Sequence, residues 1–241
     1  MNLKSLIRDA LSPFPAFYRA AFMLGARRTS LPLIVRKDTE IVIEGYARSA
    51  NTYSVVAFYL SQKRPVKIGH HLHSIAQVLT GVKMGIPVIV LIRRPEDSVR
   101  SLSLIFRQDP NHELRRWLSF YRAVEKVRDH VVIAEFSDVI ADFGAVVAKV
   151  NARWGTDFAC FETNETTVAE VFAEIDRINI ENPQPSDGGK AMYVARPTRE
   201  KREARSAQQI AFEPALLAQA HALMARLTGK PGTLAPGAAA V

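Results

Sequence analysis

From Glu40 onward, short runs of β-branched residues alternate with longer amphipathic stretches, the pattern of βαβ units on a parallel sheet. The pattern predicts strands at Ile41 to Glu44, Val66 to Ile68, Val88 to Ile92 and Val131 to Ala134. It places helices from Asn51 to about Gln62, from about Ser74 to Met84, and from near Pro95, a residue suited to a first helical turn. A long helical stretch follows around Glu113 to Arg128, and another runs from Asp138 to Trp154, where Gly155 stops it. The class is therefore α/β, a three-layer αβα arrangement around a central parallel sheet. We divide the chain into an N-terminal basic amphipathic helical segment (1–39), the α/β domain (40–227) and a flexible Gly-, Pro- and Ala-rich tail (228–241), with Asn182 to Lys190 as an exposed loop.

In the N-terminal segment, Phe14, Phe17, Ala20, Ala21, Phe22, Met23 and Leu24 form an apolar run. Arg8, Asp9, Arg19, Arg27 and Arg28 interrupt or flank it well short of the roughly 20 residues that a spanning helix needs. No small-residue cleavage site follows a clean apolar stretch, which argues against a secretory signal. Such a basic amphipathic segment suits either peripheral contact with a membrane or packing on its own domain. The single Cys160 forms no intramolecular disulfide, and no CxxC-type spacing announces a structural zinc, so the expected compartment is the cytoplasm. A net charge of +8, from 32 Lys and Arg against 24 Asp and Glu, points to a polyanionic partner. The aromatic-rich RNA-binding motifs are missing, and nucleic acid is not expected as that partner.

The most informative segment runs from strand through a small-residue turn into a helix: Ile41–Val42–Ile43–Glu44–Gly45–Tyr46–Ala47–Arg48–Ser49–Ala50–Asn51–Thr52. This geometry aims backbone N–H groups and the positive helix end at an anion. Against the nucleotide-binding pattern G-x-x-x-x-G-K-S/T, Gly45 and Thr52 fit, while Ala50 replaces the second Gly and Asn51 the Lys. The arrangement is P-loop NTPase-like, but an ATPase or GTPase needs that Lys and an acidic residue to hold magnesium. Here the neighbouring strand ends in Arg93–Arg94, which repels a cation, and the loop's own cation is Arg48. We expect a phosphate site without a metal, and a negative φ at Ala50, because a Cβ in the left-handed region costs about 1 kcal/mol.

Arg93 and Ser101 lie on the next βα turn, at the carboxyl edge where open α/β sheets bind ligands. Taken alone, Arg93, Arg94 and Arg100 read as a solvated basic helix start paired with Glu96 and Asp97. Together with the first loop, they resemble the sulfotransferases that use 3′-phosphoadenosine-5′-phosphosulfate (PAPS). The 5′-phosphosulfate loop of that family reads Tyr-Pro-Lys/Arg-Ser-Gly-Thr/Asn-Thr-aromatic, and Tyr46–Ala47–Arg48–Ser49–Ala50–Asn51–Thr52–Tyr53 is similar to it, with Ala47 for Pro and Ala50 for Gly. Arg93, Asp97 and Ser101 match its 3′-phosphate motif R-x-x-x-D-x-x-x-S, and the resemblance spans roughly residues 40 to 156. It departs in the C-terminal third, where an R-K-G segment gives way to Tyr193–Val194–Ala195–Arg196–Pro197–Thr198–Arg199–Glu200–Lys201–Arg202. Which of Arg196, Arg199, Lys201 and Arg202 completes the 3′-phosphate site stays open.

The resemblance implies sulfuryl transfer from PAPS to a hydroxyl or amine, releasing PAP without a metal. It implies Arg48 as the stabiliser of the leaving phosphate, with Ser49, Ala50, Asn51, Thr52 and Tyr53 around it and Arg93 and Ser101 on the 3′-phosphate. Three of the six histidines lie in Gly69–His70–His71–Leu72–His73, just after the second predicted strand and on the same carboxyl edge. A neutral imidazole suits a general base near pH 7, and equally such a cluster caps a helix or bonds within a core. A His–Leu pair at this point in the family implies His71, with His70, His73 and Glu44 as alternates. Lys67 corresponds to a family Lys beside the transferred group, shifted in spacing. Trp117, Phe120 and Tyr121, at i, i+3, i+4, read as core. The acceptor is a small molecule, glycan or lipid. The alternatives are a P-loop-fold nucleotide kinase and a non-catalytic nucleotide- or anion-binding protein.

Overall fold

The computed structural model describes residues 33–181, 196 and 198–230; the N-terminal segment before Leu33, the Asn182 to Lys190 loop and the tail beyond Lys230 lie outside them. Among the described residues, four parallel strands, β1 (Ile41–Gly45), β2 (Ile68–His70), β3 (Val88–Ile92) and β4 (Val132–Glu135), form one sheet in the order β2-β1-β3-β4. The α-helices of the described residues are α1 (Asn51–Ser61), α2 (Ile75–Lys83), α3 (Pro95–Phe106), α4 (Pro110–Glu125), α5 (Phe136–Ala141), α6 (Phe143–Trp154), α7 (Glu165–Glu181), α8 (Arg199–Ala207) and α9 (Pro214–Thr228).

Every residue of β1 and β3 is buried, as a parallel strand covered on both faces requires. Val42, Val88, Val90 and Ile92 face a core built with α2, α3, α4 and α9, including Val78, Val99, Trp117, Tyr121 and Leu223. Ile41, Ile43, Ile89 and Leu91 face the other, with Val56 and Phe58 of α1, Val147 of α6 and Val171 and Ile175 of α7. The three-layer αβα architecture follows from that alternation. The Trp117, Phe120 and Tyr121 stripe is core, as its spacing predicted.

Three boundaries differ from the sequence reading. β2 lies two residues later than predicted, because its ladder is set by pairing with β1, Ile41 against Ile68 and Ile43 against His70; Val66 instead lines a cavity beside α7. His70 thereby becomes the last strand residue rather than part of the loop. The single helix predicted over 138–154 is two, α5 and α6. Asp142, at φ −158°, leaves the helical region and accepts the Ala145 N–H at 3.0 Å, so it caps α6 instead of continuing α5. The long helix starts earlier than predicted, at Pro110, where the Asp109 carboxyl accepts the His112 N–H at 2.6 Å. Gly155 ends α6 in the left-handed region (φ 66°), as expected.

Gly45 closes β1 opposite Leu91 of β3, and a Cβ there would lie 2.4 Å from the Leu91 carbonyl oxygen. That oxygen belongs to the backbone and has no freedom to yield. Gly45→Ala is therefore expected to cost about 1–3 kcal/mol or more; a urea denaturation midpoint equal to that of the parent chain would contradict this packing.

Candidate functional site

The loop from Tyr46 to Ala50 crosses the carboxyl edge of the sheet from β1 to α1. The Tyr46 hydroxyl donates to the Glu113 carboxyl at 2.5 Å, and its backbone N–H reaches the Tyr121 hydroxyl at 3.4 Å. Tyr121 in turn donates to the Leu91 carbonyl at 2.7 Å, so α4 props the loop against β3. Burial, with Ser49 and the Tyr46 backbone opposing it, pushes the Tyr121 phenol far above its ordinary range, and it stays protonated as a donor. The Asn51 amide closes the turn by donating to the Tyr46 carbonyl at 3.1 Å.

These ties hold Arg48 (φ 69°) and Ala50 (φ 71°) in the left-handed region. The negative φ expected at Ala50 is thus not found. Ala50 is the N-cap residue of α1 and makes no side-chain cap, while buried Tyr46, Ser49 and Asn51 pin the chain on both sides of it. Left-handed geometry at a non-glycine residue costs on the order of 1–2 kcal/mol and persists where the surroundings over-determine it. No side-chain cap from Ala50 closes the first turn of α1, and its residues Asn51, Thr52 and Tyr53 line the cleft. Tyr53 is the third residue of α1.

Both predicted anion-binding turns open into one cleft of about 410 Å³, lined by Arg48, Ala50, Asn51, Thr52, Tyr53, His71, His73 and Arg93. An Arg93 guanidinium N–H donates to the Arg48 carbonyl at 3.2 Å, and Arg93 Cζ lies over the Phe136 ring, 4.2 Å from its centre. Arg48 Nε donates to the Ser101 hydroxyl at 3.0 Å. Ser101 and Ser49 are themselves buried and stand behind the cleft surface. The solvated reading suits Arg94, which pairs with Glu96, while Arg100 packs 5.4 Å from the Phe212 ring. In the C-terminal part, Lys201 and Arg196 line the cleft, Lys201 Nζ donating to the Arg196 carbonyl at 3.0 Å, whereas Arg199 pairs with Glu203 on an exposed face.

The histidines cluster on the neighbouring turn. His71 Nε2 is 3.0 Å from the Thr52 hydroxyl, and its Nδ1 is 2.5 Å from His70 Nδ1. His73 Nδ1 is 3.0 Å from the Gly45 carbonyl. Burial, then the adjacent His70 and His73 rings, holds His71 well below the ordinary histidine range; burial does the same, less strongly, to His70. Glu44, the alternate base, is fully buried and accepts the Leu72 N–H at 3.0 Å and the Gly45 N–H at 3.2 Å, outside the cleft lining. It has the backbone-bonding role of a strand-end carboxyl. Lys67 does not reach the site: it precedes β2, at the opposite edge of the sheet, and pairs with Asp38 at 2.7 Å. The two-residue shift of β2 is the reason.

The remaining walls were not picked out from the sequence. Leu102 and Phe106 of α3, Phe136 and Ile140 of α5, and Phe172 and Asn179 of α7 complete them. Only Phe136 had a local signal, since it directly follows β4 on the same edge; α7 arrives by tertiary packing alone. Among the described residues, the buried Tyr53 hydroxyl, Asn51 Oδ1 and Asn179 Nδ2 of the lining have no hydrogen-bond partner. Buried polar groups left unsatisfied cost about 1–3 kcal/mol each, so this wall carries a local energetic cost. With an uncapped helix N-terminus and several cationic side chains, the cleft fits a phosphorylated ligand. Among the described residues, no three His, Cys, Asp or Glu side chains are grouped to share a metal ion, and no helix is long and apolar enough to cross a membrane.

No family model matches the chain, and no curated protein matches it in sequence. Among solved structures, mouse sulfotransferase SULT7A1 complexed with PAP superposes with a TM-score of 0.43 at 12% identity, over 83% of this chain and 87% of that one.

The loop geometry is open to a direct test. Because φ at Ala50 is positive, Ala50→Gly is expected to stabilise the protein by about 0.5–1 kcal/mol. Chemical denaturation checks this; a loss of stability, as at a position of negative φ, would refute the left-handed turn.

Proposed function

We propose that this chain is a sulfotransferase that takes a sulfuryl group from PAPS and passes it to a hydroxyl or amine acceptor. One observation carries the reading: Arg48 and Arg93, from the turns after β1 and β3, line the same cleft as His71. A nucleotide with phosphates at two separate positions matches two cations on adjacent turns, and the sequence of both turns resembles the family's two phosphate motifs.

PAPS, when bound, supplies an activated sulfuryl group with PAP as its leaving group. The residues of the chain account for the rest. Arg48 and the first-turn N–H groups of α1 hold negative charge on the leaving phosphate, the electrostatic part of the catalysis. Arg93, stacked on Phe136, anchors the second phosphate, and Lys201 and Arg196 add positive charge to that wall. His71 Nε2 takes the acceptor proton, with Thr52 beside it fixing the ring. Leu102, Phe106, Ile140 and Phe172 give the acceptor an apolar bed and keep water from the reacting centre. Arg93 and Arg94 follow β3 at the point where a magnesium-using kinase needs an acidic side chain, which favours metal-independent transfer over the kinase reading.

Calorimetry with PAP in excess EDTA tests the assignment. Micromolar or tighter binding that weakens at least about tenfold in both Arg48→Ala and Arg93→Ala is expected, since one charge-assisted contact contributes about 1.5–3 kcal/mol. Absence of binding by the parent chain would overturn the reading. The depressed basicity of His71 sets a pH dependence as well. A base held below the ordinary range is already neutral near pH 6.5, so kcat/KM is expected to be flat from about pH 6.5 to 8.5 and to fall only below it. An acid limb centred within or above that interval would contradict His71 as the base.

A further inference from the structure

We infer that His70 is a positioning residue that orients His71 and fixes its tautomer, so that the Nε2 lone pair of His71 faces the cleft, held by the Thr52 hydroxyl until the acceptor hydroxyl takes its place. The inference rests on the proposed role of His71 as proton acceptor. It begins from the 2.5 Å separation of the two Nδ1 atoms. Two nitrogens that close share one proton, and the other nitrogen of each ring is then determined. If the proton belongs to His71 Nδ1, His71 Nε2 is an acceptor, 3.0 Å from the Thr52 hydroxyl, which donates to it. If it belongs to His70, His71 carries its proton on Nε2 and has no lone pair for the acceptor.

Placement favours the first arrangement. His70 ends β2, paired in register with Ile43, so its backbone is fixed by the sheet while His71 turns into the left-handed region at φ 59°. The two rings meet edge to face at 80°, with centroids 4.8 Å apart. His71 lines the cleft, but His70 lines a different cavity of about 650 Å³ on the far side, between β2, α1 and α7. With His70 lining that second cavity, its remaining N–H is assigned to the far side and its Nδ1 is left as the acceptor for His71 Nδ1–H.

Burial favours a neutral His70 ring. Glu44 of β1 and His73 act on it in opposite directions. Across the second cavity, Lys67 pairs with Asp38 at 2.7 Å, and Arg177 of α7 pairs with Glu174 and Glu181 at 2.6 and 2.5 Å, leaving Arg36 as the other cation of the lining. The acidic charges of that wall are matched by neighbours rather than aimed at the ring. During transfer the acceptor O–H bond breaks and an Nε2–H bond forms on His71. The positive charge that results is spread through Nδ1–H to His70 Nδ1, and the proton leaves afterwards to water. His70 thus takes the part that the orienting carboxyl has in other base-and-orienter pairs.

Long-range ¹H–¹⁵N correlation spectra of the ¹⁵N-histidine-labelled chain, without ligand, test the tautomer directly. At pH 7, His71 is expected as the Nδ1–H form and His70 as the Nε2–H form. His70→Asn, whose side-chain oxygen replaces Nδ1 as acceptor, is expected to keep the His71 tautomer; His70→Leu is expected to convert it to a mixture. In turnover, His70→Leu is expected to lower kcat by roughly 10²-fold or more, with His70→Asn retaining most of it. PAP affinity should stay within about twofold in both, because neither substitution touches a phosphate-binding group. Finding His71 as the Nε2–H form, or the same His71 tautomer in His70→Leu as in the parent, would overturn the proposal even where PAP binds. Failure of the parent chain to bind PAP would instead overturn the function while leaving the tautomer result to stand by itself.

Discussion

The buried carboxyl group of Glu44 is the interaction on which the carboxyl edge of the sheet depends. It has no exposed surface, and its oxygens accept the Gly45 N–H of its own loop and the Leu72 N–H of the loop after β2. An uncompensated buried carboxyl costs several kcal/mol, so both loops are held where their N–H groups reach it. Because β1 and β2 are parallel neighbours, this single acceptor ties the phosphate-loop candidate to the histidine cluster. His73, bonded to the Gly45 carbonyl and 3.6 Å from Glu44, adds a second tie across the same gap.

That tie explains why backbone strain collects here. Arg48, Ala50, His71 and His73 have positive φ, two in each of the loops that Glu44 joins. Each costs free energy that a relaxed turn would not, and each is sustained by buried neighbours: Tyr46, Asn51 and Tyr121 on one side, Glu44 on the other. The product is a rigid edge on which Thr52 and His71 meet at 3.0 Å and Arg48 and Arg93 share one cleft. Catalysis by placement and electrostatics needs a site of this kind, since side chains that reorganise during the reaction lose most of their effect.

The sheet and its flanking helices were legible because β1 and β3 carry uninterrupted apolar runs and Pro95 and Gly155 mark helix ends through their own backbone chemistry. Arg48, Thr52, His71 and Arg93 were legible because a ligand site in a parallel sheet gathers at strand ends, which the pattern locates. Strand β2 was misplaced since its three residues have little periodicity, and only pairing with β1 sets its limits. Ala50 was misjudged because intrinsic preference disfavours a left-handed alanine, and the tertiary ties that outweigh it join residues as far apart as Tyr46, Glu113 and Tyr121. Phe172 and Asn179 reach the cleft from a helix more than a hundred residues beyond the loop, and no local spacing connects them.

The central claim is that the two turns together recognise a nucleotide phosphorylated at two separate positions. The most direct measurement compares the affinities of PAP, AMP and magnesium-bound ATP for the unmodified chain under one set of conditions. The account predicts that PAP binds roughly 10–100-fold more tightly than AMP, as one further charge-assisted phosphate contact of about 1.5–3 kcal/mol requires, and more tightly than ATP with magnesium. Equal binding of PAP and AMP, or a preference for magnesium-bound ATP, would contradict it.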